Sequence, residues 1–337
     1  MPERYTAERK TAHGVLTIRL TDAVCGLEVS ILPAVGNRAS RMRVHGKDIL
    51  YHPSDLSELG GIPFLAPWAD LLDEQAFWAN GTRYGFNMGL GNVRGERPIH
   101  GLLTDSPLWQ VTEVDADARS AHVTSRLEFW KSPGLMAQWP FAHEYEMTHS
   151  LADGVLEVKT TITNLSKDPM PVAIGFHPYF QIPGIPRDEW VAHLAARIHV
   201  VADEHQIPTG EMRPLAIPNP WPLRGQTLDD GFTDLQRDAD GRAHFSIKSR
   251  GATVEILFGP KYPVATIYLP PRLPGDAREF ICIEPLTAII SGVNLARQGK
   301  YAGLQTLPAG HQWTESFWIR ASGFELGTFE RLTTYQS

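Results

Sequence analysis

The stretch YEMTHSLADGVLEVKTTIT, residues 145–163, decides the fold class. Tyr145, Met147 and Leu151 alternate with Glu144, Glu146, Thr148 and Ser150; after Asp153-Gly154, Leu156, Val158 and Ile162 alternate with Glu157, Lys159 and Thr163. A period of two puts one set on a buried sheet face and the other toward water. Asp-Gly suits a two-residue type I′ turn, whose central residues both need positive φ. The reading is a half-buried antiparallel hairpin. Similar alternation recurs at Val15–Leu20, Leu27–Leu32, His122–Phe129, Ala252–Phe258 and Trp313–Ile319, and Asn80-Gly81 between Phe77-Trp78 and Tyr84–Phe86 marks a second hairpin. No segment keeps an i, i+3, i+4, i+7 stripe over three turns. The 26 prolines collect in Gln181–Arg187, Ile207–Leu223 and Gly259–Gly275, read as long ordered loops because apolar and aromatic residues are mixed into them. Loops of that length in a compact fold are more often functional than idle. Without repeats or a composition break, the expectation is one all-β domain over residues 1–337, a large antiparallel β-sandwich of two packed sheets.

The 337 residues are 42% hydrophobic and 20% charged, with a net charge of -7 from 31 basic and 38 acidic groups. That composition excludes disorder. A mild acidic balance without a basic run argues against a nucleic-acid partner, whose affinity comes largely from phosphate neutralisation. No stretch reaches the ~18 apolar residues of a membrane span. The opening MPERYTAERK lacks the apolar core of a secretory signal, so the expected location is the cytoplasm. Cys25 and Cys282 are too few for a disulfide framework or a thiolate metal site.

Two residues stand out as candidates for chemistry. Glu284 closes the run Phe280-Ile281-Cys282-Ile283-Glu284-Pro285, which is apolar on both faces and reads as a central strand that Pro285 ends. A carboxylate entering a pocket from such a strand is desolvated, which raises its pKa toward that of a usable base. The alternative is a carboxylate paired with arginine at a sheet end. His177 shares a face with Pro171, Ala173 and Gly175, small residues that leave room for a ligand, and Pro178 holds it extended. Small residues also occur wherever two sheets approach closely, and core histidines are common.

Weaker signals surround these two. His100 follows the glycine-rich Asn87–Gly95, which misses the G-x-G-x-x-G spacing and lacks a βαβ unit. Asp229, in Leu228-Asp229-Asp230-Gly231-Phe232, reads by itself as a turn. His143 and His149, like His193 and His199, are six apart and match no helical metal spacing. Trp68, Trp78, Trp109, Trp139 and Trp221 lie near loops, where flat rings could stack on a sugar.

The set Ile99-His100-Gly101, Gly175-Phe176-His177-Pro178-Tyr179-Phe180, Leu228-Asp229-Asp230-Gly231-Phe232 and Cys282-Ile283-Glu284-Pro285-Leu286-Thr287 resembles the aldose 1-epimerases, the galactose mutarotase-like proteins. Looser matches are Gly61–Trp68 and the closing Thr306–Gly310; the ordered set spans roughly residues 15 to 320. The resemblance implies a galactose mutarotase-like super-sandwich with a sugar cleft. It implies interconversion of the α and β anomers of a free monosaccharide, with Glu284 as base, His177 as acid, and His100 and Asp229 holding sugar hydroxyls. No cofactor or metal is implied, and the partner is a small sugar. Sandwich edges allow a monomer or a homodimer.

One departure bears on the substrate. After Pro67-Trp68 the family usually reads Asn-Arg, and that arginine helps bind the sugar; two residues on, this chain has Asp70-Leu71. Leucine offers none of arginine's five donors, so recognition must differ; Arg83, Arg94 and Arg97 are near in sequence. The alternatives are a hexose-6-phosphate 1-epimerase, which needs a cationic cluster, and a catalytically inactive sugar-binding or regulatory protein. A glycosidase is disfavoured for want of a second carboxylate opposite Glu284.

Overall fold

The computed structural model describes residues 3–12, 14–89, 92–272 and 278–325, and antiparallel strands dominate them. The hairpin of the opening stretch is present. His143–Ala152 and Val155–Asn164 pair from Ala152 opposite Val155 to His143 opposite Asn164. Asp153 and Gly154 take φ of 48° and 73°, the doubly positive geometry of a type I′ turn. His143, Tyr145, Met147, His149 and Leu151 are buried, and the residues between them are not.

This hairpin lies in a nine-stranded sheet that also carries Gln110–Ala116, Ala121–Glu128, Gln312–Ser322, Ala252–Phe258 and Ala243–Ser249. An eight-stranded sheet runs in the order Pro208–Pro214, Ala196–Ala202, Leu228–Leu235, Val264–Leu269, Ile281–Leu286, Gly175–Phe176, Phe64–Leu65, and Tyr179–Phe180 also pairs with Ile281–Leu286. A five-stranded meander covers Tyr5 to Asp48. One hydrophobic core joins all three, with Ile18 and Val29 from the meander, Tyr145, Val158 and Phe317 from the nine-stranded sheet, and Phe176, Ile267 and Ile283 from the eight-stranded one. Ring contacts weld the two large sheets: Phe176 to Phe317 with centroids 4.7 Å apart, and Phe64 edge-on to Tyr145 at 5.3 Å. Among the described residues the α-helices are two six-residue turns, Pro133–Gln138 and Gly292–Arg297. No helix among them is long and apolar enough to cross a membrane.

Two of the proline-rich stretches are not plain loops. Ile207–Leu223 contains Pro208–Pro214, the outermost strand of the eight-stranded sheet, and Gly259–Gly275 contains the central strand Val264–Leu269. The prolines punctuate these strands without abolishing them: Pro208 and Pro214 sit at the two ends of an edge strand, where a missing N–H costs least. Nor does Pro285 end its strand, which runs on to Leu286 opposite Val264. Pro285 falls where the ladder to residues 175–180 is interrupted, between the pairs Gly175–Leu286 and Tyr179–Cys282.

Candidate active site

The register of the eight-stranded sheet assembles the site. Gly175 pairs with Leu286 and Tyr179 with Cys282, so His177 stands opposite Glu284 in the gap between two short strands. On the other side Thr266 pairs with Glu284 and Tyr268 with Cys282. One strand further, Asp229 pairs with Tyr268. Cross-strand partners share a face. Two adjacent rows result: His177, Glu284 and Thr266 in one, and Tyr179, Cys282, Tyr268 and Asp229 in the other.

His100 and Asp70 reach the same place from outside the sheet. The His100 N–H donates to the Asp70 carbonyl at 3.0 Å, and the Leu102 N–H to the Ala66 carbonyl at 2.7 Å. Asp70, His100 and Gly101 take φ of 54°, 59° and 67°. The first two are non-glycine residues in the left-handed region, a strained placement that clusters at functional sites. A Cβ on Gly101 would lie 2.1 Å from the Ala66 carbonyl oxygen, so the approach of the two segments depends on glycine.

Glu284, His177, His100 and Asp229 all line one cavity of about 160 Å³, together with Asp70, Arg94, Gln206, Tyr179 and Tyr268. His177 Nε2 lies 3.2 Å from Glu284 Oε1. The contact is not aligned as a hydrogen bond, and both Glu284 oxygens are buried without an aligned partner among the described residues. Burial raises the Glu284 carboxyl well above the usual carboxylate range; Asp70 and Asp229 push the same way and Arg94 opposes them. Burial holds His177 well below the usual imidazole range, with His100 and Arg94 adding to the effect. Neither charge is favoured alone, yet opposite charges this close attract. The neutral pair and the ion pair are therefore two positions of one shared proton.

The neighbouring groups orient this pair. The His177 ring stacks on Tyr179 at 4.6 Å and meets His100 edge-on at 5.4 Å. His100 is driven down to about 3, chiefly by burial, and is neutral at physiological pH. Its Nδ1 lies 3.7 Å from Asp70 Oδ1. Burial, reinforced by Asp229, pushes Asp70 up to about 7 against the Thr266 hydroxyl, which donates to Asp70 Oδ2 at 3.2 Å. Asp229 is likewise raised by burial, and the Gln206 amide donates to it. Arg94 in turn donates to Oε1 of the Gln206 side chain.

Several expectations change. Asp229 lies in the strand Leu228–Leu235 rather than a turn, because Val264–Leu269 pairs along it and Ala196–Ala202 pairs with it from Gly231 onward, overriding local propensity. Gly175 does not clear space for a ligand beside His177: a Cβ there would sit 2.1 Å from Leu286 Cδ2, so this glycine serves close packing. Trp68, Trp109, Trp139 and Trp221 are buried core residues, and Trp78 lines a different groove. Two further carboxyl groups, Asp70 and Asp229, line the cavity with Glu284. Of the three nearby arginines, Arg94 lines the cavity, Arg83 pairs with Glu74, and Arg97 donates to the His205 carbonyl. Thr266 and Tyr268 carry no sequence signal of a site because Pro263 and Pro270 give their strand the look of a proline-rich loop, although the two alternate there with Ala265, Ile267 and Leu269.

Among solved structures, this architecture is that of the galactose mutarotase-like sandwiches. It superimposes on a galactose mutarotase-like protein from Clostridium acetobutylicum with a TM-score of 0.83 at 21% identity, covering 95% of this chain and 99% of that one. A galactose 1-epimerase from Lactobacillus acidophilus NCFM is similar at a TM-score of 0.71 and 14% identity, over 95% of this chain and 99% of that one. The model of the aldose 1-epimerase family matches residues 18–320, and the chain belongs to that family.

Proposed function

We propose that the protein is an aldose 1-epimerase acting on a free monosaccharide, opening the hemiacetal ring and closing it on the other face. The observation that carries this reading is the buried Glu284–His177 pair, 3.2 Å apart, with neither carboxyl oxygen held by an aligned hydrogen bond among the described residues. In the working form the shared proton resides on His177. Glu284 takes the proton of the C1 hydroxyl while His177 gives its own to the ring oxygen. The O–H electron pair becomes the C1 carbonyl, and the C1–O bond of the ring breaks, leaving its pair on the oxygen that becomes a hydroxyl. Rotation about C1–C2 and the reverse transfers close the ring as the other anomer, and both groups return to their starting state. Burial favours the neutral pair, which is the form the two groups reach once the ring has opened. No cofactor takes part. His100 and Asp229 hold sugar hydroxyls, and Arg94 supplies donors in the place left by Leu71.

The charge balance supports a neutral sugar. Among the described residues, three carboxyl groups, Glu284, Asp70 and Asp229, line the cavity with a single arginine, whereas a phosphate dianion calls for a cationic cluster. The test is anomer exchange, followed by polarimetry or NMR saturation transfer on α-glucose, α-galactose and glucose 6-phosphate, with Glu284→Gln beside the wild type. Loss of the general base is expected to slow exchange by about 10²–10⁴-fold. Exchange of the phosphate ester alone would make the protein a hexose-6-phosphate 1-epimerase. Binding without exchange would make it an inactive sugar-binding protein.

A further inference from the structure

The cavity holds a buried group with no part in the proton transfers just described. Asp70 lines it at 8% exposure, is held in the left-handed region, and accepts a hydrogen bond from Thr266, the cross-strand neighbour of Glu284. Its other oxygen faces His100. We propose that Asp70 is a positioning residue of this reaction: a second carboxyl, tied to the Glu284 strand through Thr266, whose charge governs how readily Glu284 gives up its proton.

This rests on the reading of Glu284 as the base. When Asp70 is ionised it repels a carboxylate on Glu284; when it is protonated the repulsion is gone. The groups bearing on the pair come from every side. Asp70 meets Thr266, His100, Asp229 and Arg94. Glu284 meets His177, Asp70, Asp229 and Arg94, with the un-ionised Tyr179 and Cys282 beside it. Arg94 favours ionisation of both carboxyls, and Asp229 disfavours both. Among the described residues, Asp70 alone combines repulsion of Glu284 with a hydrogen bond from that residue's cross-strand partner. It therefore tunes the base without touching the reacting atoms.

Two variants and two readouts test this. Asp70→Asn removes the charge and keeps the shape; Thr266→Val removes the donor that favours Asp70 ionisation, so Asp70 stays neutral to higher pH. In both, Glu284 should ionise at lower pH. The acidic limb of kcat/KM for anomer exchange is expected to fall by about one pH unit in Asp70→Asn, which is about tenfold more activity at a pH below both limbs. The ¹³C carboxyl resonance of Glu284, assigned with Glu284→Gln, should titrate lower by the same amount. That titration needs no substrate. A wild type that accelerates no sugar overturns the reading of the reaction, while a Glu284 resonance unmoved in the folded variants overturns this proposal. Should Asp70→Asn not fold, Thr266→Val carries the same test.

Discussion

Replacing Asp70 by asparagine should make the protein more stable, and increasingly so as pH rises. Asp70 stands up to about 7 in the folded chain against 3.8 for a free aspartate, chiefly because burial penalises its charge. The folded chain thus keeps a proton that the unfolded chain releases near pH 4. The contribution is fully present below the unfolded value, declines as pH rises, and is lost above the folded value. About three pH units at 1.36 kcal/mol each amount to about 4 kcal/mol. That is a ceiling, since a buried carboxylate relaxes as it ionises, and it is large beside a typical total of about 5–15 kcal/mol. Asparagine carries no such penalty, and its amide oxygen can still accept from Thr266. Urea unfolding of both proteins at pH 5, 6, 7 and 8, with m-values compared, measures the difference. The variant should gain on the wild type by most of this amount between pH 5 and 8. A difference that stays flat across that range, or shrinks, would refute the reasoning, because an asparagine that merely fitted better would stabilise equally at every pH.

Two further outcomes follow from neighbouring residues. Gly101→Ala puts a Cβ 2.1 Å from the Ala66 carbonyl in a left-handed backbone; it should cost about 3 kcal/mol in thermal unfolding and weaken sugar binding through the displaced His100. Arg94→Gln removes the cation that favours ionisation of Glu284, Asp70 and Asp229. The acidic limb of kcat/KM should then move up by about one pH unit, opposite to Asp70→Asn; a downward move would contradict the electrostatic picture.

The strands were legible where local signals agreed. Asp153-Gly154 and Asn80-Gly81 both take positive φ, and the alternation of residues 145–163 matches the burial pattern. Strand Val264–Leu269 was hidden because Pro263 and Pro270 flank it, and local punctuation outweighed a short alternation that two neighbouring strands stabilise. The strand bearing Asp229 was hidden for a similar reason, since Asp-Asp-Gly is turn-forming until the neighbouring strand Val264–Leu269 pairs with all three residues.

The sequence by itself determined the β architecture, because a side-chain period of two and turn chemistry are properties of neighbouring residues. It also singled out Glu284 and His177, since a carboxylate at the end of an apolar run and a histidine fixed by Pro178 are local anomalies. Only the tertiary structure decided that the two face each other, because residues 107 positions apart meet through the register that pairs Gly175 with Leu286 and Tyr179 with Cys282. It alone also decided that Asp70 and Arg94 share their cavity. Burial and the mutual repulsion of charges depend on which groups converge in space, and nothing in the local spacing of residues encodes that convergence.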